Sequence, residues 1–262
     1  MDTNRIRIIQ ITDTHLFNNN DEELLGVQTR ESLDAVLELI HAKYADFECL
    51  LVTGDLTQDG STSSYGYLKE VLTRFNKPFY WLCGNHDVPE IMDQVSPEAM
   101  VKRVPVGNWQ LLLLNSQLPG SVHGHLSDSE LETLSAHLQE HPHLNTLIAF
   151  HHHPAAIDSV WMDRIALDNP VSLEQITKQH QQVKCIIHGH IHQDIEYSFA
   201  NTPVLATPST CVQFTPHSEE FQVDTSLPGF RVLDLFPDGR FETQVIRLKS
   251  FPMRVNQALN GY

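Results

Sequence analysis

Seven candidate metal ligands fall in five short clusters, and each cluster stands where an apolar run stops. The clusters are Asp13-x-His15, Gly54-Asp55, Gly84-Asn85-His86-Asp87, His151-His152-His153 and His188-Gly189-His190-x-His192. The runs before them are Ile6–Ile11, Cys49–Thr53, Phe79–Cys83, Leu147–Phe150 and Val183–Ile187. Open α/β sheets place their ligands beyond strand ends. Five loops delivering oxygen and imidazole donors to one rim suit a hydrolytic site built on two metal ions.

Asp13 and His15 are one residue apart, so an extended backbone would point both side chains at one ion. Gly54 lets the chain turn sharply beneath Asp55. Asp55 is the candidate bridging carboxylate, because two dications about 4 Å apart need negative charge between them: a pair of unit charges already repels by roughly 4 kcal/mol at an effective dielectric of about 20, and doubled charges multiply that fourfold. Asn85 offers a neutral carbonyl oxygen, and His86 beside it is placed to handle a proton. Among the three adjacent histidines, His151 leaves the strand first and is the preferred ligand, with His152 as the alternative. His190 and His192, two apart after a glycine, are expected to project to one side, and the three histidines of H-G-H-x-H would be costly as unpaired core residues.

The elements that must position these residues follow from periodicity. Glu31–Ala45 carries Leu33, Val36, Leu37 and Ile40 at helical spacing, and Gly66–Phe75 repeats the pattern. Ser127-x-x-Glu130 and Ser172-x-x-Gln175 have the form of capping boxes. After His192 the pattern changes to strands at Ile195–Ala200, Pro203–Ala206, Phe230–Phe236 and Phe241–Leu248, with a turn at Pro237-Asp238-Gly239 between the last two. Thr215–Gly229 is polar and is expected to be a long surface loop. Alternating β and α segments followed by antiparallel strands predict an α/β fold of two stacked sheets with helices outside, as one domain over 1–262.

With 17 basic and 33 acidic residues the formal net charge is -16. Such a surface repels duplex nucleic acid, whose non-specific binding needs Lys and Arg on phosphates. A small phosphate ester fits better, received by metal-derived positive charge. Cys49, Cys83, Cys185 and Cys211 form no C-x-x-C pair, and the first three fall in strands as buried thiols of a reducing compartment. With no signal-peptide pattern and no apolar run near the ~18 residues of a membrane span, a cytoplasmic protein is expected.

The order D-x-H, G-D, G-N-H-D, H-x-x-P, G-H-x-H resembles the calcineurin-like metallophosphoesterases over essentially the whole chain. The stretches Gly54–Gly60, His151–Pro154, Gly189–Gln193 and Ala206–Phe214 are similar to bacterial class III cyclic-nucleotide phosphodiesterases, which open 3′,5′-cyclic AMP to 5′-AMP. The resemblance implies a four-layer αββα sandwich and two divalent ions per chain, iron, manganese or similar. Asp13, His15, Asp55 and His192 would hold the first ion, and Asp55, Asn85, His151 and His190 the second. The catalytic residues would be His86 and Asp55, and His15, Asp55, Asn85, His86 and His192 would meet the substrate. Hydroxide held between the ions would attack phosphorus, and His86, oriented by Asp59 or Asp87, would protonate the departing oxygen. One departure is His125, where related enzymes carry an acidic residue; His123 beside it is a candidate for the substrate rim. The competing expectations are another phosphoesterase on the same scaffold and a non-catalytic interaction module.

Overall fold

The computed structural model describes residues 5–256. Its first part runs β1 (Ile6–Ile11), a ribbon of β2 (Glu23–Leu24) and β3 (Val27–Gln28), α1 (Thr29–Lys43), β4 (Cys49–Thr53), α2 (Thr62–Thr73), β5 (Phe79–Leu82) and α3 (Pro89–Val95). The middle follows with β6 (Arg103–Val106), β7 (Trp109–Leu113), α4 (Asp128–Glu140), β8 (Asn145–Ala149), α5 (Val160–Asp163), α6 (Pro170–Gln179) and β9 (Val183–His188). The last part is β10 (Glu196–Phe199), β11 (Thr202–Ala206), β12 (Gln213–Phe214), β13 (Val223–Asp224), β14 (Gly229–Leu235) and β15 (Phe241–Arg247).

Two mixed sheets result. One has the order β15-β14-β1-β4-β5, with β1, β4 and β5 parallel and β14 and β15 antiparallel. The other has the order β10-β11-β9-β8-β7-β6, parallel in its four central strands and antiparallel at both edges. Alternation along β1 shows why they stack. Ile8 packs with Leu51, Leu113, Leu147 and Ile187 between the sheets. Ile9 and Ile11 face outward, onto Leu33 and Val36 of α1 and Leu68 of α2. Across the second sheet, Ile148 and Ile186 meet Leu134 of α4 and Leu173 of α6. Strands buried on both faces need helices on the outer surfaces, which gives four layers, helix–sheet–sheet–helix, as the pattern predicts.

Several local expectations change. Helix α2 begins before Gly66, because Ser61 caps it by accepting from Ser64 N. Ser127 caps α4, but the Glu130 carboxylate accepts from Asn115 N at 3.0 Å instead of reaching back, so only half of a capping box forms. Ser172 caps nothing. Helix α6 already starts at Pro170, where a missing N–H costs nothing, and the Asn169 side chain is spent bridging the N–H and carbonyl of Leu126. Thr215–Gly229 is interrupted by β13, which pairs with β12. All four cysteines are buried thiols. Among the described residues, no helix is long and apolar enough to cross a membrane.

Candidate metal centre

The chain curls sharply as it leaves each sheet. Asp13 (φ 52°), His15 (φ 43°), Asp55 (φ 50°), His190 (φ 66°) and His192 (φ 50°) all occupy the left-handed region, at a cost on the order of 1–3 kcal/mol each for non-glycine residues. This corrects the extended-chain expectation. Asp13 and His15 share a target through curl, and the same curl separates His190 from His192. The strain is held by pairing that continues past the strand ends: Asp13 N donates to Gly54 O at 3.0 Å, His15 N to Asp55 O at 3.0 Å and Leu16 N to Leu56 O at 3.1 Å. Glycines permit the close approach. A Cβ on Gly54 (φ 95°) would strike the His151 imidazole, and one on Gly84 would strike the Asp55 carboxylate.

Donor atoms from both sheets therefore converge. Ligand-type atoms of Asp13, His15 and His192 lie within 4.8 Å of one another, as do those of His15, Asp55 and His86, those of Asp13, Asp55 and His151, and those of His151, His152 and His190. His192 Nε2 is 3.3 Å from Asp13 Oδ1, His15 Nε2 is 3.8 Å from Asp55 Oδ2, and His151 Nε2 is 3.1 Å from Asp55 Oδ2. Asp55 thus belongs to two groups, the placement a bridging carboxylate needs.

Hydrogen bonds fix which ring nitrogen each histidine presents. His15 Nδ1 lies 2.7 Å from Gln58 Oε1, His151 Nδ1 2.8 Å from Thr53 O and His192 Nδ1 2.9 Å from Val212 O. Because these oxygens only accept, each Nδ1 is the N–H donor and Nε2 turns to the cluster. His190 is reversed: its Nε2 donates to Ile165 O at 3.1 Å, and Nδ1 faces inward. Tautomers locked by carbonyl oxygens behind the ring are the usual support of metal-binding imidazoles. Among the described residues, four buried atoms of the set, Asp55 Oδ2, Asn85 Oδ1, His151 Nε2 and His190 Nδ1, make no hydrogen bond. Buried acceptors of that kind are costly unless a cation satisfies them, and two acceptors facing at 3.1 Å need a proton or a metal between them. The residues fit two adjacent divalent cations.

His152 fits less well. Its Nδ1 is 2.8 Å from Ser116 Oγ and its Nε2 is 3.2 Å from Val122 O, so both nitrogens are engaged. Both acids proposed to orient His86 hold backbone and hydroxyl groups of the neighbouring loops. Asp87 accepts from the backbone N–H groups of Leu56, Thr57 and Gly84 and from Tyr65 OH, tying the Asp55 loop to the Asn85 loop. Asp59 accepts from Asn18 N, Ser61 N and Ser64 Oγ. The His86 ring instead stands edge-on to His15 with centroids 5.1 Å apart, and its backbone N–H donates to Asp55 Oδ1 at 2.9 Å. His125 pairs with Asp168 at 2.7 Å, and His123 lies 3.5 Å from the same carboxylate, so both are tied into the loop wall.

The Ala206–Phe214 segment shows its purpose only in three dimensions. Ser209 Oγ donates to Asp13 O at 2.7 Å, Thr210 N donates to Thr12 O at 3.2 Å, and the Phe214 ring stacks on His192 with centroids 4.2 Å apart and planes 14° from parallel. Gln58 and Ser209 carry no signal of these roles in the sequence beyond their place in the similar stretches.

Charge sets a pH dependence. Burial alone would lower the His151 pKa, but the Asp55 and Asp13 carboxylates outweigh it and push it up to about 9. Burial dominates at His15 and takes it down to about 3. Metal ligation needs neutral imidazole, so at neutral pH His151 must shed a proton that His15 does not carry. Mn²⁺ uptake should therefore release about one proton at the His151 position, and its apparent affinity should rise roughly tenfold per pH unit between about 6.5 and 9. Calorimetry in buffers of different ionisation enthalpy measures this; a flat profile would contradict it. Because the folded pKa of His151 lies above its unfolded value, its contribution to the metal-free protein is full below about pH 6.5 and is lost as pH rises through about 9.

A family model described as calcineurin-like phosphoesterase matches residues 6–194. The chain is 43% identical over 262 residues to the 3′,5′-cyclic adenosine monophosphate phosphodiesterase CpdA of Escherichia coli (strain K12), covering 98% of this chain and 95% of that protein. It is 42% identical over 263 residues to the protein of the same name from Vibrio vulnificus (strain CMCP6), covering 99% and 96%. Among solved structures, a dimetal phosphatase from Danio rerio superposes with a TM-score of 0.68 over 93% of this chain and 99% of that one. At 15% identity that likeness is one of fold.

Proposed function

Since this chain belongs to the calcineurin-like phosphoesterase family, we propose that it hydrolyses 3′,5′-cyclic AMP to 5′-AMP with two divalent cations. The observation that carries the reading is the set of buried donors on Asp55, Asn85, His151 and His190 that make no hydrogen bond among the described residues, together with whole-chain identity to enzymes named for that substrate. Asp13, His15, Asp55 and His192 would hold one ion, and Asp55, Asn85, His151 and His190 the other. Mixed imidazole, carboxylate and amide-oxygen donors suit iron or manganese. Such a pair supplies strongly acidified water and neutralises phosphoryl charge.

The protein's own groups do the rest. Two dications carry four positive charges, and Asp13 and Asp55 return two negative ones. The net positive charge seats a cyclic phosphate monoanion within a protein of net charge -16. His15, Asp55, Asn85, His86 and His192 would surround the phosphate. His86, partly exposed beside His15, would act as the general acid toward the leaving 3′-oxygen. Strands β14 and β15, beyond the family-model match, complete the sheet that contains β1, which supports one catalytic domain over 1–262. Four buried thiols support a reducing, cytoplasmic setting.

Mn²⁺-loaded protein given 3′,5′-cyclic AMP, 2′,3′-cyclic AMP and p-nitrophenyl phosphate in parallel should turn over the first fastest, with 5′-AMP as product. Preference for the monoester would move the protein to the phosphatases of the same fold, and inactivity on all three would favour a non-catalytic scaffold.

A further inference from the structure

Resting on the two-metal reading, the geometry points to Gln10 as the positioning residue that sets the spacing between the two ion positions. The donors are divided between the sheets. Asp13, His15, Asp55 and Asn85 follow strands β1, β4 and β5 of the first sheet, whereas His151, His190 and His192 follow β8 and β9 of the second. Each ion position takes donors from both, so sliding one sheet over the other would spoil both positions at once.

Gln10 lies where such sliding would be resisted. It follows Ile8 on the inter-sheet face of β1, at the end nearest the cluster, and is completely buried in a run of isoleucines. An apolar residue would be the ordinary choice there, since a buried amide is costly unless every group is satisfied. Gln10 is satisfied, and by three separate chain segments. Its Nε2 donates to Thr53 Oγ1 at 2.8 Å and to His188 O at 3.2 Å, and its Oε1 accepts from Thr207 Oγ1 at 2.6 Å.

Thr53 and His188 each lie two residues before a donor. Thr53 precedes Gly54-Asp55, and its carbonyl accepts from His151 Nδ1 at 2.8 Å, with the Thr12 hydroxyl 3.1 Å away. That hydroxyl lies 2.7 Å from Asp13 Oδ2. His188 precedes Gly189-His190. Thr207 opens the segment that grips Asp13 and His192, and its hydroxyl also accepts from the buried Arg231 Nε at 3.2 Å. One amide therefore ties the ends of β4 and β9 and the segment after β11 directly beneath the cluster.

The test uses the full chain. Gln10→Leu, similar in size and unable to hydrogen-bond, should weaken binding of the second Mn²⁺ by roughly 10–100-fold in calorimetric titration, the range for groups supporting metal ligands. It should also alter the exchange-coupled electron paramagnetic resonance signal of the Mn²⁺-loaded protein, which reports the metal–metal distance. Thr207→Val, which removes the hydroxyl that bonds Oε1, should move both readouts in the same direction and decides the matter if Gln10→Leu does not fold. Wild-type affinity and signal in the folded variants would overturn the assignment. Fewer than two ions in the wild-type protein would instead overturn the two-metal reading itself.

Discussion

Asp55→Ala should leave fewer than two divalent ions per chain and remove nearly all phosphodiester hydrolysis. The expectation follows from where the carboxylate stands. Asp55 Oδ2 lies 3.1 Å from His151 Nε2 on one side and 3.8 Å from His15 Nε2 on the other, so both groups of donors lose their shared anion together. Stabilisation of phosphoryl charge by metal is worth several kcal/mol. At about 1.4 kcal/mol per tenfold in rate, losing about 4 kcal/mol slows turnover roughly a thousandfold. A second readout separates loss of the bridge from loss of the fold. Asp55 is the main carboxylate holding the His151 pKa up, so the pH dependence of residual Mn²⁺ uptake should flatten between about pH 6.5 and 9. Metal analysis by plasma mass spectrometry that still found two ions per chain would refute the bridging role.

How much of this was legible in the sequence depends on how each feature is encoded. The strand ends were legible, because apolar runs such as Ile6–Ile11 and Val183–Ile187 stop where Asp13 and His190 approach. The layered fold followed from the same runs, helped by the periodicity of α1. The turns were not legible. Left-handed backbone is normally announced by glycine, and at Asp13, His15 and His192 it is imposed on other residues by backbone bonds to neighbouring loops and by the grip of Ser209 and Thr210.

The choice of imidazole nitrogen was hidden for a related reason. It is set by the carbonyls of Thr53, Val212 and Ile165, and every residue has a carbonyl. Gln10 stood in plain view within Ile8-Ile9-Gln10-Ile11, but a lone amide in an apolar strand has no periodicity. Asp87 is instructive in the opposite sense. Adjacent to His86, it suggested an orienting acid, whereas burial and the nearby charge of Asp55 push its pKa up to about 7 and its oxygens hold the backbone of two loops together.

His86→Ala should keep both ions and lose roughly 10²–10⁴ in kcat on 3′,5′-cyclic AMP, the usual worth of a positioned acid or base. Metal retention is expected because His86 is not one of the seven residues assigned to the two ions, and its backbone N–H, which donates to Asp55 Oδ1 at 2.9 Å, survives in alanine. The loss should depend on the leaving group. A ribose 3′-alkoxide is strongly basic and departs slowly without a proton, whereas p-nitrophenolate departs readily on its own. Bis-p-nitrophenyl phosphate should therefore be hydrolysed by the variant much more nearly at the wild-type rate, while cyclic AMP turnover bears the full deficit. Equal losses on both substrates would mean that His86 serves phosphate binding, and an undiminished cyclic AMP rate would remove it from the reaction altogether. The two substrates thus distinguish proton delivery from charge neutralisation at one residue, which metal analysis cannot do.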